Sequence, residues 1–331
     1  MSNDTKAAGI IGTGSYVPET ILKNSYFEEK LDTNDEWIVS RTGIKERRKV
    51  KPEMATSDIA TYAALKAIED AKLTPMDLDM IIVATVTSDM SFPSTACIIQ
   101  KNIGAEKAAA FDISAACSGF IYGLSIASQF VKSGSKKNIL VIGAETLSKI
   151  TDYDDRNTCI LFGDGAGAAI VSCVEEGFGI LSAYLGSDGR GGDLLKLPAG
   201  GSRMPASRET IANSQHFIKM DGSEVFKFAI KIMGEAAEKA LSLCGMEKED
   251  IDYLIPHQAN IRIIESATKR LKISKDKVFV NVDKYGNMSA ASIAVALDEA
   301  KRTNKLNKGD VVVLVGFGGG LTWGSAVMKW T

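Results

Sequence analysis

The chain has 331 residues, 45% of them hydrophobic and 24% charged, with a formal net charge of −2. That balance belongs to a folded globular protein with room for two compact halves or one large α/β unit. It supplies no global field for nucleic acid or an anionic membrane surface, so any basic docking patch has to be local.

In chain order, the polar start Met1–Ala8 lacks the pattern of a signal peptide, and no stretch of about 18 uncharged apolar residues follows anywhere to span a membrane. Gly12-Thr13-Gly14 follows an apolar run, but Val17 stands where a dinucleotide fingerprint needs its third glycine, so tight packing is the better reading. Helical pattern at Ala63–Ile68 leads through the acidic turn at Asp77 to a buried strand ending near Ile82. Phe111-Asp112-Ile113-Ser114-Ala115-Ala116-Cys117-Ser118-Gly119-Phe120 turns from a short apolar run into a small-residue helix start, and the helix runs to Val131 with Gly134 as its C-cap. A second buried strand, Asn138–Gly143, is followed by Gly163-Asp164-Gly165-Ala166-Gly167, which lacks the lysine of a phosphate loop and reads as close packing.

The pattern then repeats at one offset. Ala63–Ile68 reads against Ala236–Leu241 (236 − 63 = 173), and the same offset pairs Asp77–Ile82 with Asp250–Ile255 and Asn138–Gly143 with Val311–Gly316. Strands alternating with helices imply a parallel sheet covered by helices, and two copies imply two similar halves packed together. The offset places the Cys117 and Asn287 loops at equivalent positions, where loops can meet near a pseudo-dyad. His257 falls just past the end of its strand, where parallel sheets place their sites.

Cys117, at the first turn of a buried helix, meets the positive end of the helix dipole, which favours thiolate, the form that attacks an acyl carbonyl. A lone cysteine is more often a small buried apolar residue. Pro256-His257-Gln258-Ala259-Asn260 and Tyr285-Gly286-Asn287-Met288-Ser289 tip the balance toward chemistry. Five scattered cysteines without CxxC spacing fit a reducing cytoplasm and no zinc site.

With these segments in view, the whole chain resembles the thiolase-like condensing enzymes, and within them the β-ketoacyl-acyl-carrier-protein synthase III family. Further landmarks are Asp35-Glu36-Trp37-Ile38 with Arg41-Thr42-Gly43-Ile44, Phe162–Gly167, and Gly318-Gly319-Gly320 followed by Thr322-Trp323-Gly324. The resemblance implies a five-layer αβαβα fold of two pseudo-symmetric halves, 1–175 and 176–331, with mostly parallel mixed sheets. It implies an acyltransferase that starts type II fatty acid synthesis. Cys117 would take an acyl group from an acyl-CoA primer, acetyl or short and branched. Malonyl-acyl-carrier protein would then lose carbon dioxide, and its enolate would attack the thioester to give a 3-oxoacyl product. His257 and Asn287 would donate to the developing oxyanion, and the backbone N–H groups of Cys117 and Gly319 would form a second oxyanion hole.

By the same resemblance, Trp37 and Arg156 would sandwich the CoA adenine, Arg41 would contact its phosphates, and Asn260 and Gly222 would line the pantetheine tunnel. Phe92 would cross a homodimer interface to close the partner's acyl pocket, or else be a plain core residue. Arg262, Lys269, Arg270 and Lys227 would form the carrier-protein docking face, although Glu265 interrupts it and a solvated helix face remains open. No metal and no cofactor beyond the CoA substrate is implied, and neither nucleic acid nor membrane is an expected partner.

His216, outside any matching motif, reads as a surface residue. The elongating synthases' second histidine, the thiolases' second cysteine and the hydroxymethylglutaryl-CoA synthases' glutamate find no place here. Three alternatives stay open: a condensing enzyme or simple acyltransferase of secondary metabolism, a nicotinamide-dependent oxidoreductase using the Gly12 segment, and an inactive carrier-protein-binding module.

Overall fold

The computed structural model describes residues 7–331; of the polar start read at Met1–Ala8, Met1–Lys6 lie outside them. The first half contributes strands β1 (Ala7–Tyr16), β2 (Met80–Ala84), β3 (Ala109–Ile113), β4 (Ile139–Thr146) and β5 (Asp164–Val174). Its helices are α1 (Asp35–Thr42), α2 (Thr56–Asp70), α3 (Thr95–Ile103) and α4 (Gly119–Lys132). The second half contributes β6 (Gly179–Ser187), β7 (Tyr253–Pro256), β8 (Val311–Gly318) and β9 (Thr322–Lys329), with α5 (Gly222–Leu243), α6 (Ile261–Leu271) and α7 (Ala291–Arg302). The boundary expected after residue 175 falls in the turn between β5 and β6.

The two sheets repeat one topology. The order β1-β5-β4-β2-β3 in the first matches β6-β9-β8-β7 in the second. The duplication extends to strand register: Met80 faces Ile139 in the first sheet and Tyr253 faces Val312 in the second, both pairs 173 residues apart. The sheets are mixed, as expected, but parallel pairing does not predominate. Three of these strand pairs are parallel and four antiparallel. The reason lies in the last strand of each half. Only Gly319–Leu321 separate β8 from β9, and so short a connection permits only an antiparallel return.

Both faces of each sheet are buried, so the central strands read as continuous apolar runs whose side chains alternate between two cores. Ile81, Val83, Leu140 and Ile142 point outward against Ile59, Ala63 and Ile99 of α2 and α3. Ile82 and Val141 point inward to meet Phe120 and Leu124 of α4, Ile293 and Leu297 of α7, and Ile255 and Leu314 from the second sheet. On the far side, Leu254, Val313 and Val315 pack on Ala229, Met233 and Ile263 of α5 and α6. The layers are therefore α, β, α, β, α, with α4 and α7 side by side in the middle.

The glycine motifs serve this packing. A Cβ on Gly12 or Gly14 would lie 2.6 or 2.4 Å from the α2 backbone, so their absence lets the helix rest directly on β1. That removes the pyrophosphate-binding role an oxidoreductase would need there. Among the described residues, no helix is long and apolar enough to cross a membrane.

Candidate active site

Cys117 follows β3 in a tight 3₁₀ turn, Ala116–Ser118, immediately before α4 rather than within its first turn. Ala116 holds a left-handed φ of 46°, an unfavourable setting for a residue with a Cβ, retained because the surroundings fix the turn. The end of β8 passes directly against the nucleophile: a Cβ on Gly318 would sit 2.5 Å from the Cys117 nitrogen. Burial pushes the Cys117 thiol up to about 12; the Ser289 hydroxyl opposes that rise and the Glu145 carboxylate adds to it. The resting group is therefore the thiol, and desolvation outweighs the helix dipole that was expected to favour thiolate.

His257 follows β7, where its backbone N–H donates to the Val315 carbonyl at 2.8 Å. Its ring is buried, edge-on to Phe317, with Nδ1 2.5 Å from the Ser292 hydroxyl. A hydroxyl donating to Nδ1 leaves the ring proton on Nε2, the tautomer an oxyanion donor requires. Burial lowers its pKa to about 3, so the imidazole is neutral at working pH. We expect the His257 ring signals in a proton NMR titration to stay constant from about pH 8 down to about pH 5, where an ordinary histidine near 6.5 would titrate fully. A midpoint near 6.5 would mean that the ring is solvated and not held as described.

Asn287 is stitched to the first half. Its N–H donates to the Leu161 carbonyl at 2.8 Å, and its carbonyl accepts from Gly163 N–H at 3.0 Å. A Cβ on Gly163 would lie 2.3 Å from the Tyr285 carbonyl, so the Phe162–Gly167 glycine motif is the seam on which the Asn287 loop docks. The Asn287 Oδ1 accepts from Ser289 N–H at 2.8 Å, which leaves the Nδ2 hydrogens to act as donors.

These pieces share walls. One cavity of about 90 Å³ is lined by Cys117, His257 and Asn287 together with Gly222, Asn260 and Phe226. A second, of about 310 Å³, opens from Cys117 between Val86, Leu147, Ile150, Leu197 and Ile218, with Gly319 and Ser289 on its rim. The fold brings the two equivalent loops to one thiol, with neutral donors on one side and an apolar chamber on the other.

The profile of the 3-oxoacyl-(acyl-carrier-protein) synthase III family matches residues 111–189, and that of its C-terminal region matches 241–330. A β-ketoacyl-(acyl-carrier-protein) synthase III of Caldanaerobacter subterraneus subsp. tengcongensis is 65% identical over 325 residues, 98% of each chain. This chain belongs to the synthase III family. It is a condensing acyltransferase with the thiolase-like fold. The crystal structure of 3-oxoacyl-(acyl-carrier-protein) synthase III from Aquifex aeolicus VF5 superposes with a TM-score of 0.90 at 47% identity, covering 98% of this chain and 100% of that one. The priming β-ketosynthase of the R1128 polyketide pathway superposes at 0.92 with 32% identity, covering 100% and 98%.

Around this synthase III centre the remaining residues sort unevenly. Asn34 caps α1 by accepting from Trp37 N–H at 2.8 Å, and Gly43, with φ of 80°, ends it against Ile261 of α6. Trp37 and Arg41 are thus presented at one rim. The Arg156 guanidinium lies over the Trp37 ring at 5.3 Å and is held by the Asp32 carbonyl at 2.6 Å. A base slid between them needs about twice the ~3.5 Å contact distance, so Arg156 must move outward to admit one. The Asn260 side chain caps α6, accepting from Arg262 N–H at 2.9 Å and donating to the Arg41 carbonyl at 3.0 Å. Gly222 lines both the narrow cavity and an open recess outside it.

Phe92 is 85% exposed, which excludes the plain core reading, and within one chain it does not reach the Cys117 cavity. Arg262 is exposed over the ring of Phe226, 5.2 Å from it, and Phe226 lines the narrow cavity. Lys227 and Lys269 are exposed, the first paired with Glu224 at 2.7 Å. Arg270 pairs with Glu235 at 3.4 Å and Glu238 at 3.0 Å on α5, where helix packing brings acids the sequence kept far away. His216 is half-buried against Phe217, not a surface residue. Sequence reading missed Glu145, Ser289 and Ser292. A glutamate ending the apolar run of β4 was itself a signal, since that residue type is almost never fully buried without partners.

Proposed function

We propose that this chain carries out the decarboxylative condensation of an acyl-CoA primer with malonyl-acyl-carrier protein, and so starts type II fatty acid synthesis. The observation that carries the reading is the single narrow cavity whose wall holds the Cys117 thiol, the His257 ring and the Asn287 amide. The primer's acyl group passes to Cys117 and lies in the wider apolar chamber, whose lining suits a short straight or branched chain and offers a longer polar one no partners. The malonyl thioester then enters the narrow cavity, loses carbon dioxide, and its oxyanion is met by His257 and Asn287. Its carbanion attacks the Cys117 thioester, and backbone N–H groups of Cys117 and Gly319 receive the tetrahedral oxygen. A neutral imidazole and an amide suit this step, because donors without charge need no counter-ion in a dry site. The scheme calls for no metal or organic cofactor. Release of labelled carbon dioxide from malonyl-carrier protein, with formation of a 3-oxoacyl product only when an acyl-CoA is also supplied, tests it.

The carrier protein is acidic in this scheme and meets Arg262 at the tunnel mouth, with Lys227 and Lys269 nearby. Arg262→Ala should slow condensation with malonyl-carrier protein about tenfold at low salt and less at high salt, because a rim charge acts mainly on encounter. Acylation of Cys117 by acetyl-CoA should be unchanged. Equal loss in both half-reactions would put Arg262 in the shared tunnel instead.

The working unit in this reading is a homodimer, with Phe92, 85% exposed, crossing the interface to close the partner's acyl pocket. Light scattering should give twice the chain mass, and Phe92→Ala should alter primer preference more than it alters the mass. A fully active monomer would remove that role.

A further inference from the structure

One buried ionisable group near Cys117 has no part in the scheme above. Glu145, on β4, is fully buried. It accepts from the Thr87 hydroxyl at 2.6 Å, the Thr85 hydroxyl at 3.3 Å and the Val86 N–H at 3.2 Å. Ser289, 4% exposed, lines the same chamber as Cys117, and the Ala290 carbonyl next to it packs on Gly143, two residues before Glu145 on the same face of β4. The Ser289 hydroxyl has no hydrogen-bond partner among the described residues. That hydroxyl is nonetheless close enough to stabilise both the Cys117 thiolate and the Glu145 carboxylate. Its backbone is held in the left-handed region at φ of 43°, with its N–H committed to Asn287, so the side chain is aimed rather than free.

We propose that Glu145 is the acceptor of the Cys117 thiol proton, with the Ser289 hydroxyl as the bridge. The inference rests on Cys117 as the acyl acceptor. As the thiol sulfur bonds to the primer's carbonyl carbon, its proton passes to the Ser289 oxygen while the Ser289 proton passes to the carboxylate. Collapse of the tetrahedral adduct breaks the carbon–sulfur bond to CoA, and the same path returns the proton to the leaving sulfur. After condensation Cys117 leaves as thiolate and is reprotonated along this route by a proton drawn from solution.

Three facts favour this over a purely structural carboxylate. A fixed negative charge beside the nucleophile raises the thiol's pKa, so as a bystander it would hinder the reaction. His257 is held near 3 by burial and is a poor place for the proton, whereas burial lifts Glu145 to about 7, which suits a general base at neutral pH. The groups facing Glu145 are Thr85, Val86 and Thr87 after β2, Ser289 before α7 and Cys117 before α4. Cys117 is the titratable one among them.

The test compares wild type with Glu145→Gln, Glu145→Asp and Ser289→Ala from about pH 5.5 to about pH 9.5. Two readouts are taken: burst acylation by acetyl-CoA, and alkylation of Cys117 by iodoacetamide, which needs no natural substrate. Wild-type rates should rise through about pH 7 and level off. Glu145→Gln and Ser289→Ala should lose that step, run about 10²-fold slower near neutrality and recover toward the thiol's own ionisation. Glu145→Asp should restore part of the step. A Glu145→Gln profile parallel to wild type, at full or uniformly reduced rate, overturns the proposal and leaves Glu145 as a brace for the Thr85–Thr87 loop. Ser289→Ala, which removes one atom and keeps the backbone bond to Asn287, guards against a folding artefact; wild-type behaviour by it also overturns the bridged route. If no acyl-CoA loads wild-type Cys117 yet alkylation still shows the step, the relay stands and the functional reading falls.

Discussion

Cys117→Ser should lose acyl transfer from acetyl-CoA by about 10⁴-fold or more, the scale on which removing a nucleophile acts. The substitution changes one atom in a site whose walls are fixed by Gly318 and the Ala116–Ser118 turn, so the fold should persist. Serine fails because its hydroxyl ionises far less readily than a thiol, and burial that already lifts the thiol to about 12 penalises an alkoxide still more. Intact-mass measurement should show one added acyl group on wild type and none on the variant over the same time. Carbon dioxide release from malonyl-carrier protein should persist, since His257 and Asn287 are untouched. Labelling of wild type at Cys159 or Cys97 instead would overturn the assignment of the nucleophile.

The second large effect separates the half-reactions. His257→Ala and Asn287→Ala should each still accept an acyl group on Cys117, yet decarboxylate malonyl-carrier protein about 10²–10³-fold more slowly, the usual cost of one oxyanion donor. The double variant should be little worse than either single one, because both donors serve one oxygen. Ser292→Ala should show a smaller loss of the same kind, since it frees Nδ1 to take the ring proton. Carbon dioxide release measured beside burst acylation decides the matter. Wild-type release by Asn287→Ala would reduce Asn287 to a packing residue that seats its loop on Leu161–Gly163.

Much of this architecture was written in the sequence because duplication is legible as repetition. The offset of 173 predicted which helices and strands correspond, and the register of β4 on β2 recurs in β8 on β7. Strand direction was less legible. The apolar runs look alike whichever way they pair, and the three residues between β8 and β9 carried more information than the strands themselves. The motif residues around the thiol were readable because their chemistry is rare in so histidine-poor a chain. The partners that set their behaviour were not, since Ser292, Ser289 and Glu145 reach the site only through the contact of two halves. Arg270 shows the same limit from the other side: its acids lie on α5, more than 30 residues away in sequence, and no local pattern announces them.

The close approach of β8 to Cys117 has an evolutionary side. A methyl group on Gly318 would displace the nucleophile's own backbone, so that wall of the site accepts no variation at all. In the wider chamber on the other side of Cys117, Val86 and Leu197 are 38% and 40% exposed and can change size without disturbing a packed core. Selection for a new primer therefore has one free wall to work on. Lineages in this family can diversify what they load while the reaction itself stays frozen.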